Sequence, residues 1–205
     1  MRLLQTGTLL TAVIFAGLMA GLFVGFVCGV MPGLARASDR TLVDAMQGIN
    51  KGILNPVFML MFVGSIPVIG LAALLAFRGH GREAAPWLVA ALVLYVVAFI
   101  VTMAANVPLN DQLDRAGDPE RIHDIAAVRD QYESKWVAWN IVRALLHTAS
   151  FACLAWALVL YGAHRLAEDP GTASSAKPSA YTATDTGHLN AVPHHIDRPR
   201  PPAHT

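Results

Sequence analysis

The 205-residue chain has few cysteines, few charges and none of the common cofactor-binding patterns. Its two cysteines, Cys28 and Cys153, have no metal-ligand or redox spacing, so we interpret them as apolar packing residues. The formal net charge is +1 and the basic residues are scattered, which argues against a nucleic-acid-binding surface. There is no glycine-rich dinucleotide fingerprint and no cysteine-based haem attachment motif. We predict no nucleic-acid partner and no metal site.

Charge is scarce because long apolar runs fill a large part of the chain. A hydrocarbon core of roughly 30 Å needs about 20 helical residues, and four segments are long enough. They are residues 9–30, 57–77, 87–107 and 137–161. We therefore predict an all-α integral membrane protein, a four-helix bundle in a bacterial cytoplasmic membrane. The counts of lysine and arginine near the helix ends place the two larger loops in the cytoplasm.

The first apolar segment has an alternative interpretation. Ala35-Arg36-Ala37 has the small-x-small form of a signal-peptide cleavage site. The apolar run before it is longer than the usual signal core of about 7 to 15 residues, which favours a retained helix. We expect Pro32-Gly33 to end that helix. The third helix is expected to close with Thr102, Asn106 and Pro108.

Helix-start signals outside the apolar runs predict further elements. Ser38 is a candidate N-cap for a short interfacial helix after the first span, and Asn55-Pro56 is a start signal for the second span. Gly117-Asp118-Pro119 predicts a helical extension that begins with Asp118 as its cap and runs unbroken into the fourth span. The apolar positions of the interfacial helix are Leu42, Met46, Ile49 and Ile53.

The C-terminal segment differs in composition from the rest. Residues 168–205 are rich in Pro, Ser, Thr, Ala and His and have few large apolar groups, so we predict a disordered tail after a membrane domain of residues 1–167. Its histidines form no fixed pattern, and weak binding of a soft metal is the less favoured interpretation. They are His188, His194, His195 and His204.

A glycine stripe runs along the first helix at Gly17, Gly21, Gly25 and Gly29. Small residues at steps of four permit close backbone approach in a bilayer. Packing within the chain is the favoured explanation. A homodimer seam and a flat wall for a planar ligand are the alternatives.

A polar stripe follows one face of the fourth helix. An unpaired Arg143 within the apolar run would cost roughly 2.5 to 3.5 kcal/mol, so it needs a partner. Glu133 lies about 15 Å from Arg143 along the helix axis, so we expect the partner of Arg143 to be Asn106 or Asn50 from a neighbouring segment. His147 is a candidate neutral base or donor. The alternative is that Arg143 snorkels to headgroups and His147 binds a backbone carbonyl. The stripe consists of Arg129, Glu133, Trp136, Asn140, Arg143, His147 and Ser150.

Part of this pattern resembles the anthrone oxygenase-like family of small four-helix membrane proteins. The resemblance covers about residues 8–166. It implies oxidation of an anthrone to an anthraquinone by an anthrone oxygenase-like monooxygenase, without flavin or haem, so no cofactor is expected. The residues that carry it are Asn106-Val107-Pro108-Leu109-Asn110, Tyr132-Glu133, Trp136, Trp139-Asn140 and Arg143, with Met46, Asn50 and Asn55-Pro56 upstream.

Cofactor-independent oxygenation needs a base for a carbon-bound proton and fixed donors for the resulting enolate, which then reacts with molecular oxygen. We predict Glu133 or His147 as the base. The predicted oxyanion donors are Arg143, Asn106 and Asn140. The predicted ring-stacking walls are Trp136, Trp139 and Tyr132, and Asn50 and Asn110 complete the substrate-binding set.

Two other functions use the same pocket differently. A non-enzymatic membrane protein would use it to bind a lipid-soluble ligand or to assist a partner membrane protein. A transporter or channel is disfavoured because the polar stripe stops near Ser150 and the first and third helices show little polarity beyond their ends.

Overall fold

The computed structural model describes residues 2–79 and 81–168, which are helical apart from short connections. The predicted tail and its histidines lie, but for Glu168, outside the described residues. The helices are α1 (Arg2–Gly25), α2 (Met31–Leu34), α3 (Asp39–Gly52), α4 (Pro56–Arg78), α5 (Ala85–Val101), α6 (Val107–Arg115) and α7 (Ile125–Glu168). Two π-helical turns, Phe26–Val30 and Thr102–Asn106, join α1 to α2 and α5 to α6.

Four helical segments are long and apolar enough to cross a membrane, which confirms the predicted all-α membrane fold. They are Leu3–Leu34, Pro56–Arg78, Ala85–Arg115 and Ile125–Leu166. α7 packs against α1 and α5, and α4 packs against the same two helices, so the four form a closed bundle. Buried alanines such as Ala16, Ala72, Ala91 and Ala157 allow the backbones to approach closely at these contacts.

The predicted caps of α3 and α4 are confirmed. Ser38 Oγ accepts the Thr41 amide at 3.2 Å, and Asn55 Oδ1 accepts the amides of Val57 and Phe58 at 3.1 and 3.0 Å. α3 is the expected short helix after the first span. Each cap satisfies amides that have no partner within their own helix.

The predicted start of the last helix at Asp118 is wrong. The Asp118 carbonyl accepts the Arg121 amide at 2.8 Å, which closes a β-turn with Pro119 in its second position. α7 begins at Ile125, where Asp124 Oδ1 accepts the Ala127 amide at 3.0 Å. Proline fits the second position of a turn as well as the first turn of a helix, so the local signal was ambiguous.

The first and third spans continue beyond the prolines that were expected to end them. In each span a π-helical turn ends two residues before the proline, at Pro32 and at Pro108. The amides of Met31 and Val107 bond to carbonyls five residues earlier, at Phe26 and Thr102. Proline lacks an amide hydrogen and its ring crowds the carbonyl four residues before it. The wider turn accommodates this crowding, so each helix continues after a local distortion.

The glycine stripe has two different environments. A Cβ atom at Gly17 would lie 3.0 Å from the Phe151 ring of α7, so this glycine permits packing within the chain. A Cβ at Gly21, Gly25 or Gly29 would meet no atom within 4 Å. Packing within the chain therefore explains Gly17 alone. A homodimer seam through the stripe remains a prediction.

Leucine at Gly17 and at Gly21 should have different effects on stability. Gly17→Leu forces a side chain into Phe151 and should lower the free energy of unfolding by about 1 to 3 kcal/mol. Gly21→Leu is the matched control and should leave the thermal midpoint of the detergent-solubilised monomer unchanged. Equal midpoints for the two variants would contradict the α1–α7 contact.

Candidate functional site

A cavity of about 480 Å³ lies between the first half of α4, the π-helical turn of the third span and α6. Residues of α1, α3 and α7 complete its wall. Most of the lining is apolar, and polar groups are concentrated near α3 and α6 and at Arg143. The aromatic lining consists of Phe23, Phe26, Phe58, Phe62, Phe99 and Trp136. The polar lining consists of Gln47, Asn50, Lys51, Thr102, Asn110, Asp111, Asp114 and Arg143.

Arg143 is the charged group in the buried part of this wall. Its side chain points into the bundle, with the residue only 6% exposed, so the snorkelling alternative is wrong. The guanidinium carbon lies 4.4 Å from the centre of the Phe23 ring and 5.1 Å from that of Trp136. No carboxylate within the described ranges is within ion-pair distance of it. The cation is thus held by aromatic faces and has no counter-charge in that part of the chain.

The hydrogen-bond partner of Arg143 differs from the prediction. Arg143 Nε donates to Asn140 Oδ1 at 3.0 Å, so the partner is on the same helix and is neither Asn106 nor Asn50. Residues three apart share a helical face, which makes this contact local. Asn140 Nδ2 in turn donates to the Phe23 carbonyl at 3.3 Å, shortly before the π-helical turn of the first span. This chain fixes the guanidinium relative to α1.

The predicted amides and rings are partly brought together. Asn110 Oδ1 accepts both Trp136 Nε1 at 2.8 Å and the Tyr132 hydroxyl at 3.3 Å. Asn106 Nδ2 donates to the Trp136 carbonyl at 3.4 Å. Asn106 Oδ1 and Asn50 Nδ2 are buried without a hydrogen-bond partner in the described part of the chain. Buried polar atoms are rarely left unpaired, so Asn50, which lines the cavity, is available to a ligand or to water there, whereas Asn106 does not line it.

His147 lies one turn deeper than Arg143 and is fully buried. Its ring stacks on Phe23 with centroids 4.8 Å apart and meets Tyr95 edge-on at 4.6 Å. Neither ring nitrogen has a hydrogen-bond partner among the residues described, so the bond to a backbone carbonyl that the alternative interpretation required is absent there. His147 does not itself line the cavity, but its neighbours Phe23 and Phe62 do.

Of the ten predicted site residues, four line the cavity, and Trp139 and Glu133 are among the six that do not. Trp139 is 43% exposed on the outside of α7, a position typical of an interfacial anchor. Glu133 Oε2 accepts Arg129 Nε at 2.6 Å and forms part of an ion cluster near the start of α7. Neither residue lines the cavity.

Arg129, a residue with no predicted contact, ties α7 to the segment before α3. Besides Glu133, it donates to Asp39 Oδ1 at 2.9 Å and to the carbonyls of Ala37 and Ala35, each at 3.0 Å. Its side chain is 15% exposed. α3 forms one wall of the cavity, so Arg129 positions that wall from a distance. The four-residue spacing between Arg129 and Glu133 indicates their ion pair in the sequence, whereas no sequence pattern indicates the contacts of Arg129 with the backbone carbonyls.

Arg129→Ala should destabilise the protein more than loss of Glu133. It leaves two carboxylates and two carbonyls without their donor, and we expect the free energy of unfolding to fall by about 2 to 4 kcal/mol. Glu133→Gln removes one charge but leaves the other three acceptors in place, so about 1 kcal/mol is expected. Thermal unfolding in detergent measures both, with Lys135→Ala as an exposed control on α7. A larger loss for Glu133→Gln than for Arg129→Ala would contradict this role.

Several lining residues had no signal in the sequence. Phe62, Phe99 and Thr102 belong to apolar spans whose lipid-facing and inward-facing sides are equally hydrophobic. The inward-facing side of a membrane helix carries no contrast in hydrophobicity unless a polar residue marks it. The two π-helical turns were also missed, although both border the cavity through Phe26 and Thr102. Such turns are frequent at functional sites.

Comparisons with known proteins bear on the same region. No curated protein and no solved structure matches the chain. A family model described as anthrone oxygenase matches residues 58–153. This range runs from α4 to the middle of α7 and includes Arg143, His147, Asn110 and Trp136. The match agrees with the resemblance found in the sequence: residues 58–153 are similar to the anthrone oxygenase family.

Proposed function

We propose that this protein is a membrane-embedded, cofactor-independent oxygenase of a small phenolic, anthrone-like or quinol-type aromatic compound. The observation that carries the proposal is the Arg143 guanidinium, buried without a counter-charge in the described region, at the wall of an aromatic cavity. A flat ring system fits between the phenyl and indole faces. The ionised oxygen of the bound ring system would supply the counter-charge to the Arg143 guanidinium.

The reaction assigned to this cavity needs no redox partner besides molecular oxygen. A base removes a proton from the methylene carbon of an anthrone, and Arg143 stabilises the oxyanion of the resulting enolate. The carbanionic carbon adds to oxygen to give a hydroperoxide. Loss of water from the hydroperoxide then leaves a carbonyl group. One oxygen atom ends in the new carbonyl of the anthraquinone and the other in water, which balances the two hydrogens removed.

His147 is the favoured base of the two predicted candidates. Its nitrogens have no partner in the described structure, whereas the Glu133 carboxylate is bonded to Arg129. His147 and Arg143 contact the same Phe23 ring, but His147 is outside the lining, so as the base it would reach the substrate through one bridging water. Asn50 Nδ2 would donate to a substrate oxygen, whereas Asn106 Oδ1, which is outside the lining, could only accept from a hydroxyl group.

The test is turnover by the purified full chain in lipid nanodiscs. With 1,8-dihydroxyanthrone and air, we expect oxygen consumption and anthraquinone formation in equal amounts, well above empty nanodiscs. Glu133→Gln should retain turnover, whereas variants of Arg143 and His147 should lose it. An anthrone that binds but is not oxidised would favour a ligand-binding protein, and wild-type rates in both variants would contradict the assigned roles.

A further inference from the structure

The rim of the cavity contains side chains that are both part of its lining and exposed on the outside of the bundle. Met59 and Val63 of α4 are each 42% exposed, and Met103, in the facing π-helical turn, is 49% exposed. Leu54, just before α4, is 68% exposed. All four are apolar. The cavity therefore has an apolar opening on the side of the bundle.

This opening is at the depth of the hydrocarbon. Val63 lies seven residues after Pro56, the first residue of its span, which is about 10 Å along the helix axis. Met103 lies within the span Ala85–Arg115. Half of a hydrocarbon core is about 15 Å thick, so lipid chains rather than water reach these residues.

At the polar end of the cavity, polar contacts join α3 to α6. Lys51 Nζ of α3 and Asp114 Oδ1 of α6 are 2.7 Å apart, and both residues line the cavity. Gln47 Nε2 also donates from α3 to the Leu113 and Gly117 carbonyls, at 2.8 and 3.0 Å. These contacts fasten α3 across the end of α6. These contacts lie at the polar end, whereas the side opening has no such contacts among Met59, Val63 and Met103.

We propose that the ligand enters sideways from the bilayer, between α4 and the π-helical turn of the third span. This inference deepens the proposed function, on which it rests, because it restricts the substrate. A compound that reaches the opening has partitioned into hydrocarbon and is therefore uncharged on arrival. The substrate is a neutral, lipid-soluble planar phenol or quinol that becomes an anion only next to Arg143. Water-soluble aromatic carboxylates and sulfonates are excluded.

Binding kinetics test the route independently of turnover. The probe is 1,8-dihydroxyanthraquinone, a stable product-like compound, followed by its own absorbance in nanodiscs that contain the full chain. Val63→Trp narrows the opening without touching Arg143. A steric obstruction slows entry and exit alike, so the association and dissociation rates should both fall by about tenfold or more while Kd changes by less than about twofold. Dilution of the probe with extra lipid should slow association in proportion to its mole fraction in the bilayer.

Two controls separate the route from other effects. Leu74→Trp places the same bulk on an exposed position of α4 away from the cavity and should leave both rates unchanged. Lys51→Ala opens the bridge at the polar end and should not accelerate association. Unchanged rates in Val63→Trp, or faster association in Lys51→Ala, would overturn lateral entry and leave the proposed function standing. Absence of probe binding by the wild type would overturn both.

Discussion

Arg143→Met should reduce anthrone turnover by about 10² to 10³-fold, the usual effect of removing one oxyanion donor. Methionine retains the length and apolar stem of the side chain and can still pack on Phe23 and Trp136. The variant also removes a buried cation that has no carboxylate partner in the described structure, so its thermal midpoint should be equal to or above that of the wild type. Loss of function without loss of stability is the expected combination, measured by oxygen consumption and by thermal unfolding.

Two variants control this experiment. Lys135→Met removes a cation from an exposed position of the same helix and should change neither turnover nor the thermal midpoint. Arg143→Lys keeps the charge but loses the planar fork of the guanidinium, and should recover only part of the activity. Should Arg143→Met unfold at a markedly lower temperature than the wild type, the guanidinium would be a structural residue and its assigned role would be wrong.

His147→Phe is expected to reduce turnover by about 10² to 10⁴-fold, the range typical of a lost general base. Phenylalanine preserves the stack on Phe23 and the edge-on contact with Tyr95. It also replaces two buried nitrogens that have no partner in the described part of the chain, so the protein should be at least as stable. Binding of the anthraquinone probe should be nearly unchanged, because an anthraquinone has no methylene proton for a base to remove.

Ser150→Ala is the control for this second prediction. Ser150 lies one turn beyond His147, and its hydroxyl donates to the Ala91 carbonyl at 2.8 Å. Its replacement should cost about 1 kcal/mol of stability and leave turnover unchanged. Equal losses of turnover in the two variants would indicate that disturbance of α7, rather than loss of the imidazole, causes the effect.

The elements that depend on short-range chemistry were predictable from the sequence. The spans follow from the length of apolar runs, and the caps at Ser38 and Asn55 follow from side chains that reach their own helix starts. The choice between Asp118 and Asp124 was not predictable, because both residues are good caps and the winner depends on where α7 packs. Pro32 and Pro108 were expected to end their helices, but each helix continues past its proline after a π-helical distortion.

The candidate site was predictable only in part, for a related reason. Polar residues in an apolar segment are visible, so Arg143 and His147 were identified, whereas Asn110 entered the site through the family resemblance. The partners of Arg143 were not predictable, because aromatic faces and one amide surround its guanidinium in place of a counter-ion. The role of Glu133 as a base remains a prediction, and its hydrogen bond to Arg129 one turn away on the same helix was not predicted.

The two π-helical turns let these spans hold an extra residue without a change in the direction of the side chains beyond them. A π-helical turn fits one more residue into about the same rotation as an α-helical turn, so deletion of one residue from the Thr102–Asn106 turn would restore a regular helix and leave later residues on nearly the same face. Asn110 would still face the Trp136 indole and the Tyr132 hydroxyl, from which it accepts hydrogen bonds. Relatives that lack a single residue at this point can therefore keep the same side chains beyond the turn and differ only in those that the widened turn itself presents to the cavity.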